Sequence, residues 1–314
     1  MKSIQVIRTA SSSYHQPDFF NEEKQKLESL TGIKYSESLE SVSDLDTILI
    51  SNTHTRLSAI DPKILERTKL IVHSNSGYDH FISEQKFWKN IPVIIGHEIR
   101  AQAVAEYTLA ALFNAFINIP FVVSWDKNRN WSRGLINTKK IGIYGHGHIG
   151  KILDKTLTSL GAKVSIHDPF KNKSHTIPLE EMDAVLFCCG LNSTSKHLGN
   201  EQFFQQLKPD VVIINGARGG LISSEALKSF LKKNKASQVY LDVFEQEPFD
   251  DNWNEYSQIK KSSHVAGVFR ELDNKIIDFE YDTIKDFINL AHNDFLTKYH
   301  SSLLENKIHD GEII

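Results

Sequence analysis

Residues 139–153 read KKIGIYGHGHIGKIL. The isoleucine-rich run KIGIYG (140–145) predicts a short buried strand. After it, Ile149, Ile152, Leu153, Leu157 and Leu160 recur on one face of a helix that Gly161 ends. Between strand and helix, Gly145, Gly147 and Gly150 spell G-x-G-x-x-G. Gly145 allows the tight turn, Gly147 lets a pyrophosphate approach bare backbone, and Gly150 lets helix and strand pack closely. The N–H groups at the helix start, with the helix dipole behind them, present a positive end to that anion, and His148 and Ile149 are expected to meet the cofactor there. The next strand, AKVSIHD, ends in Asp168, eighteen residues beyond Gly150. A carboxylate there accepts both ribose hydroxyls of NAD and repels the 2′-phosphate of NADP, so NAD is expected and NADP is less favoured. His146 and His148 occupy x positions, where backbone rather than ring meets the cofactor. No carboxylate or thiolate neighbours them in sequence, and no metal is expected.

Outward from the loop, residues 140–265 continue as alternating strands and helices. MDAVLFCC, DVVIING, SQVYLDVF and a short last SHVAG read as strands, with EQFFQQLK and SSEALKSFLKK as helices. Continuously apolar strands separated by helices predict a parallel sheet covered on both faces. The first hundred residues alternate in a similar way, with SIQVIR, TILIS, KLIVHS and IPVIIG as strands and FNEEKQKLESL as a helix. They predict a second, smaller α/β domain. A helix over 101–118 is apolar on more than one face, and NKIIDFEYDTIKDFINLAHNDFL is helical by period.

The chain's 314 residues exceed one ordinary core and suggest two domains. Its net charge of −3 carries no basic footprint, so neither nucleic acid nor an anionic membrane is an expected partner. No apolar stretch is long enough to span a bilayer, and MKSIQVIRTASSSYHQ lacks the apolar core of a secretory signal. The two cysteines are adjacent, Cys188 and Cys189, within a strand-like run. Reduced thiols in a cytoplasmic protein are expected.

Three further segments fall at the ends of later strands: INGARGGLIS (214–223), LDVFEQEPF (241–249) and SSHVAGVFRE (262–271). With the glycine loop, NSGYDHF (75–81) and AVAEYTLAAL (103–112), they resemble the D-isomer-specific 2-hydroxyacid dehydrogenase family over residues 45–290. The resemblance implies two Rossmann-like α/β domains. The larger, over 97–285, is a doubly wound parallel sheet binding a dinucleotide; the smaller, flavodoxin-like and substrate-binding, is built from 1–96 plus 286–314. It places the catalytic arginine, glutamate and histidine on Arg218, Glu247 and His264. It puts Cys189, Gly190, Gly216, Ala217, Asp242 and Gly267 along the cofactor, Asp242 at the nicotinamide amide. It gives the turn Asn75-Ser76-Gly77 to the substrate carboxylate, and a homodimer interface to the helix at 101–118.

The residue chemistry agrees. Reducing a small 2-oxo acid to its D-2-hydroxy acid needs a cation for the carboxylate and an acid for the developing alkoxide. Arg218 is a permanently charged fork. As an imidazole, His264 can give or take a proton in either direction of the reaction, and Glu247 on its other nitrogen would orient it. Glyoxylate or hydroxypyruvate is the expected substrate. The competing reading is a dinucleotide-sensing interaction protein on the same fold, without turnover. Two departures stand out. Cys188-Cys189-Gly190 replaces the family's frequent His-x-Pro, and Arg100 stands where many members carry a small polar residue facing the substrate. Arg100 is expected to read a second anionic or polar group on the substrate. SNTHTRLS (51–58) lacks the paired arginines of phosphoglycerate-specific members.

Overall fold

A computed structural model of the chain describes residues 3–39, 44–117, 119, 121–129, 131, 133–171, 173–174, 176–309 and 312–314. The chain divides into two units, Met1–Arg100 with Val268–Ile314, and Ala101–Gly267.

The first unit holds β1 (Ile4–Arg8), β2 (Ile33–Ser36), β3 (Asp46–Ser51), β4 (Thr68–His73) and β5 (Val93–Ile95). They pair in the order β2-β1-β3-β4-β5, every pair parallel. The strands are apolar on both faces because both are covered. Ile48, Ile50, Leu70, Val72 and Ile94 point into a core closed by Ile284 and Phe295. Their neighbours Leu49, Ile71, Val93 and Ile95 point the other way, against Leu57, Ile64, Phe81 and Trp88. Each such buried side chain contributes about 1.5–3 kcal/mol. β2 escaped the sequence reading because it is a four-residue edge strand whose residues alternate buried and exposed.

The second unit holds β6 (Lys140–Tyr144), β7 (Lys163–Asp168), β8 (Lys173–Ser174), β9 (Ala184–Phe187), β10 (Val212–Asn215), β11 (Gln238–Leu241) and β12 (Ile259–Lys261). The sheet order is β12-β11-β10-β9-β6-β7-β8, parallel except for the antiparallel pair β7–β8. Ile141, Ile143, Leu186, Val212 and Ile214 fill one face. Val185, Phe187, Ile213, Val239 and Leu241 fill the other. The order reverses at β6, whose neighbours are β7 and β9. Ligands bind at the carboxyl ends of strands at such a switch point, and the glycine loop follows β6.

Three local expectations need correction. SHVAG is not the last strand; β12 lies upstream, at Ile259–Lys261. His264 takes a left-handed backbone, φ 56°, which no strand continues. The long helix begins at His97 and runs to Ile117, so it includes Arg100. The C-terminal pattern is two helices, Leu272–Asn289 and His292–Lys298, parted by an extended Leu290-Ala291. Among the described residues no helix is long and apolar enough to cross a membrane.

Candidate active site

The glycine loop joins β6 to the helix His148–Ser159. Gly145 has φ 99°, and a Cβ there would meet the Cys189 backbone at 2.7 Å. A Cβ on Gly150 would lie 2.0 Å from the Gly145 carbonyl oxygen, so helix and turn touch through that hydrogen. A Cβ on Gly147 would meet nothing within 4 Å. Gly147 is also the N-cap of the helix, and no side chain caps it. The first-turn N–H groups therefore border open space, as a phosphate cradle requires.

Asp168 ends β7, and its Oδ2 accepts the His146 N–H at 2.7 Å. Among the described residues its other oxygen accepts no hydrogen bond, which suits a ribose hydroxyl. The His146 ring does more than the sequence suggested. It is buried, and its Nε2 lies 3.0 Å from Asp154 Oδ2 on the following helix, tying loop to helix. Lys171 Nζ donates to the His146 carbonyl at 3.2 Å. Cys189 and Gly190 follow β9 beside Gly145. Burial pushes the Cys189 thiol up to about 12, so it stays protonated. These residues fit a bound dinucleotide.

After β10 the chain turns sharply, and Asn215 organises the turn. Fully buried, it donates through Nδ2 to the Arg218 carbonyl at 2.9 Å and accepts the Ala217 N–H at 3.1 Å. Gly216 leaves van der Waals room against Ala266, 3.6 Å from an added Cβ. Gly219 is pressed onto the next segment: a Cβ there would lie 1.9 Å from the Phe244 carbonyl oxygen. The half-buried Arg218 directly precedes this close approach of Gly219 to Phe244 and Glu245, and its Nη1 donates to the Ala217 carbonyl at 2.7 Å.

Glu247 accepts the Phe244 N–H on Oε1 at 3.0 Å, and its Oε2 lies 2.8 Å from His264 Nδ1. Burial pushes the Glu247 carboxyl up. The hydrogen bonds from His264 and Phe244, with the charges of His264 and Arg218, outweigh it and hold the group below the ordinary carboxylate value. An ionised carboxylate only accepts, so Nδ1 carries the proton and Nε2 is left for chemistry. The His264 side chain is 56% exposed.

Asp242 anchors this histidine's loop. It is 1% exposed. Its Oδ1 accepts from Ser262 Oγ at 2.7 Å and Val265 N at 2.8 Å, and its Oδ2 accepts from Ala266 N at 2.8 Å. Its carbonyl accepts the His264 N–H at 2.8 Å. Tyr107 Oη lies 2.7 Å from Ser262 Oγ and extends the set. Both oxygens of Asp242 thus serve the segment that leads to Gly267. Sequence reading missed Asn215, Tyr107 and Ser262. An asparagine ahead of glycine at a strand end is the one signal that marked Asn215.

In the first unit, the turn Ser74-Asn75-Ser76-Gly77 follows β4. His73, fully buried, holds it: Nε2 lies 2.8 Å from the Gly77 carbonyl, and Nδ1 lies 3.0 Å from Ser51 Oγ. Arg100 is buried, donating from Nη1 to the Ser74 carbonyl at 2.5 Å and from Nη2 to Tyr14 Oη at 2.6 Å.

Residues 109–266 match the family model for the D-isomer specific 2-hydroxyacid dehydrogenase NAD binding domain. The chain is 29% identical over 248 residues to D-3-phosphoglycerate dehydrogenase of Methanocaldococcus jannaschii, a match covering 74% of this chain and 47% of that one. It therefore spans about half the length of that relative. It is 26% identical over 233 residues to hydroxypyruvate reductase of Thermotoga maritima, covering 70% of this chain and 76% of that one. Its fold resembles that of D-lactate dehydrogenase from Aquifex aeolicus complexed with NAD and lactic acid, with a TM-score of 0.70 at 20% identity over 96% of this chain and 98% of that one.

Proposed function

The chain belongs to the D-isomer-specific 2-hydroxyacid dehydrogenase family, and we propose that it interconverts a small 2-oxo acid and its D-2-hydroxy acid with NAD. Its second unit is the family's NAD-binding domain. The observation that carries the activity is the contact of His264 Nδ1 with Glu247 Oε2 at 2.8 Å, beside a turn that presents Arg218. When bound, the dinucleotide supplies or takes up the hydride. The chain's residues handle the proton and the carboxylate. His264 Nε2 gives its proton to the C2 oxygen as that oxygen becomes an alkoxide, and takes it back in the reverse direction. Glu247 fixes the ring and balances its charge when both nitrogens are protonated. Arg218 holds the substrate carboxylate and the C2 oxygen through its fork. In the first unit, the N–H groups of Asn75, Ser76 and Gly77 offer a nest for a carboxylate. A short-chain 2-oxo acid as substrate is supported by likeness to the hydroxypyruvate reductase.

A homodimer is supported by the segment after the helix His97–Ile117. There Phe121, Val123 and Trp125 are 91%, 108% and 76% exposed, a cluster that a lone subunit would leave in water. A reducing, cytoplasmic setting suits the two free thiols. The activity is tested by absorbance at 340 nm with NADH and a panel of 2-oxo acids. His264→Ala is expected to lose about 10²–10⁴-fold in turnover while binding NADH with unchanged affinity. Wild-type turnover in that variant would refute the acid–base assignment. Tight NADH binding with no acid reduced would instead favour the dinucleotide sensor.

A further inference from the structure

The first unit buries two arginines, and they differ in what answers their charge. Arg8 is 3% exposed and bonds two carboxylates, Glu23 and Glu280. Arg100 is 8% exposed. Its hydrogen bonds go to neutral oxygens, the Ser74 carbonyl at 2.5 Å and the Tyr14 hydroxyl at 2.6 Å, and its guanidinium lies 5.4 Å from the centre of the Tyr14 ring. Among the described residues no carboxylate bonds it. Glu280, which takes the Ser74 hydroxyl, and Asp273 act on it only at longer range. Burial therefore dominates and drives the Arg100 pKa down.

An amide side chain would bridge a carbonyl and a phenol as well, without burying a charge. An uncompensated buried cation costs several kcal/mol. Guanidinium offers five N–H donors, and the two bonds leave three unclaimed. The surroundings also matter. Tyr14 lies in the loop after β1, Ser74 in the turn after β4, and Arg100 in the helix after β5. All stand beyond the carboxyl ends of parallel strands, where open α/β sheets take ligands.

We propose that Arg100 is a specificity-determining residue that binds a second anionic group on the substrate, making the preferred substrate a dianionic 2-oxo acid. This rests on the reading of the Asn75–Gly77 turn as the nest for the first carboxylate. The shared chemistry is a carboxylate, sulfonate or phosphonate-like oxyanion at the far end of a short chain, met by the free edge of the guanidinium fork.

The test compares kcat/KM with NADH for oxaloacetate, 3-sulfopyruvate and 3-phosphohydroxypyruvate against pyruvate and hydroxypyruvate, in wild type and Arg100→Gln. At least one dianion is expected to exceed both monoanions, and its rank names the second group. In Arg100→Gln the dianion-to-monoanion ratio is expected to fall about 30-fold or more, the scale for truncating one partner of a buried charge pair. A wild-type preference for monoanions, or an equal loss on both classes, would overturn the proposal. Should Arg100→Gln fail to fold, Arg100→Lys keeps the charge without the fork, and the same ratio decides. A second readout needs no turnover. D-malate should raise the Tm of the NAD-loaded wild type more than D-lactate does, and Arg100→Gln should abolish that difference. If no 2-oxo acid is reduced, the proposed activity fails, yet this thermal comparison still judges Arg100: no D-malate advantage refutes it.

Discussion

Replacing Gly147 and Gly150 separately by alanine separates two roles that the G-x-G-x-x-G pattern joins. At Gly150 the added Cβ would lie 2.0 Å from the Gly145 carbonyl oxygen, well inside contact distance. Backbone must move by more than 1 Å, and overpacking of this kind costs about 1–3 kcal/mol. Alanine's better helix propensity returns about 1 kcal/mol at most. Because the clash is with backbone, the upper part of that range applies and the net loss is about 1–3 kcal/mol; at about 2–4 °C per kcal/mol for a unit of this size, Gly150→Ala is expected to lower Tm by roughly 2–12 °C. At Gly147 the Cβ meets nothing within 4 Å, and φ is −75°, open to any residue. Losing glycine's advantage at the N-cap and restricting the unfolded chain nearly cancel, so Tm should move by less than about 2 °C. The open volume is, however, where a pyrophosphate would meet the helix N–H groups. Gly147→Ala is therefore expected to weaken NADH binding about tenfold or more, which corresponds to about 1.4 kcal/mol. Calorimetry gives the Tm values and NADH fluorescence titration gives Kd. An unchanged Kd in Gly147→Ala would refute the phosphate-cradle reading, and a Gly150→Ala protein as stable as wild type would refute the packing argument.

The other predictions concern the acid–base pair and its anchor. Glu247→Gln should lower kcat by about 10²-fold or more. Because the folded Glu247 carboxyl titrates below its ordinary value, its contribution to stability is complete above about pH 4.3 and disappears as pH falls through the lower folded value. The side chain is 36% exposed, so that contribution stays below about 1 kcal/mol. Urea unfolding of wild type and variant should show a gap at pH 6 that closes toward pH 3; a gap that persists there would contradict the assignment. Asp242→Ala leaves the Val265 and Ala266 N–H groups without an acceptor, while the Ser262 hydroxyl keeps Tyr107 Oη, and should cost about 2–6 kcal/mol, at about 1–3 per donor left unmatched. Hydrogen exchange should show Val265 and Ala266 amides losing protection; unaltered exchange would remove Asp242 as the anchor of the His264 loop.

Much of this architecture was legible in local pattern. Runs such as KIGIY and DVVIIN are apolar at nearly every position, and only a strand covered on both faces accommodates that. The glycine loop announced itself because Gly145 and Gly150 answer steric demands between adjacent elements, while Gly147 keeps the helix start open. Where the reading failed, the deciding interaction was distant. SHVAG looks like a strand, yet the Asp242 carboxylate claims its N–H groups and His264 turns left-handed. β2 is too short and too exposed on one side for periodicity to mark it.

By itself, then, the amino-acid order determined two α/β units, a dinucleotide loop and the chemical types at Arg218, Glu247 and His264, because periodicity and glycine sterics act over a few residues. Only the tertiary structure decided which groups meet. Glu247 and His264 are seventeen positions apart in sequence and 2.8 Å apart in space. Asn215 shapes the arginine turn, Asp242 gives both its oxygens to the histidine loop, and Arg100 is buried beside Ser74 with no bonded carboxylate among the described residues. Hydrogen-bond partners and desolvation are properties of the folded surroundings, and no local pattern carries them.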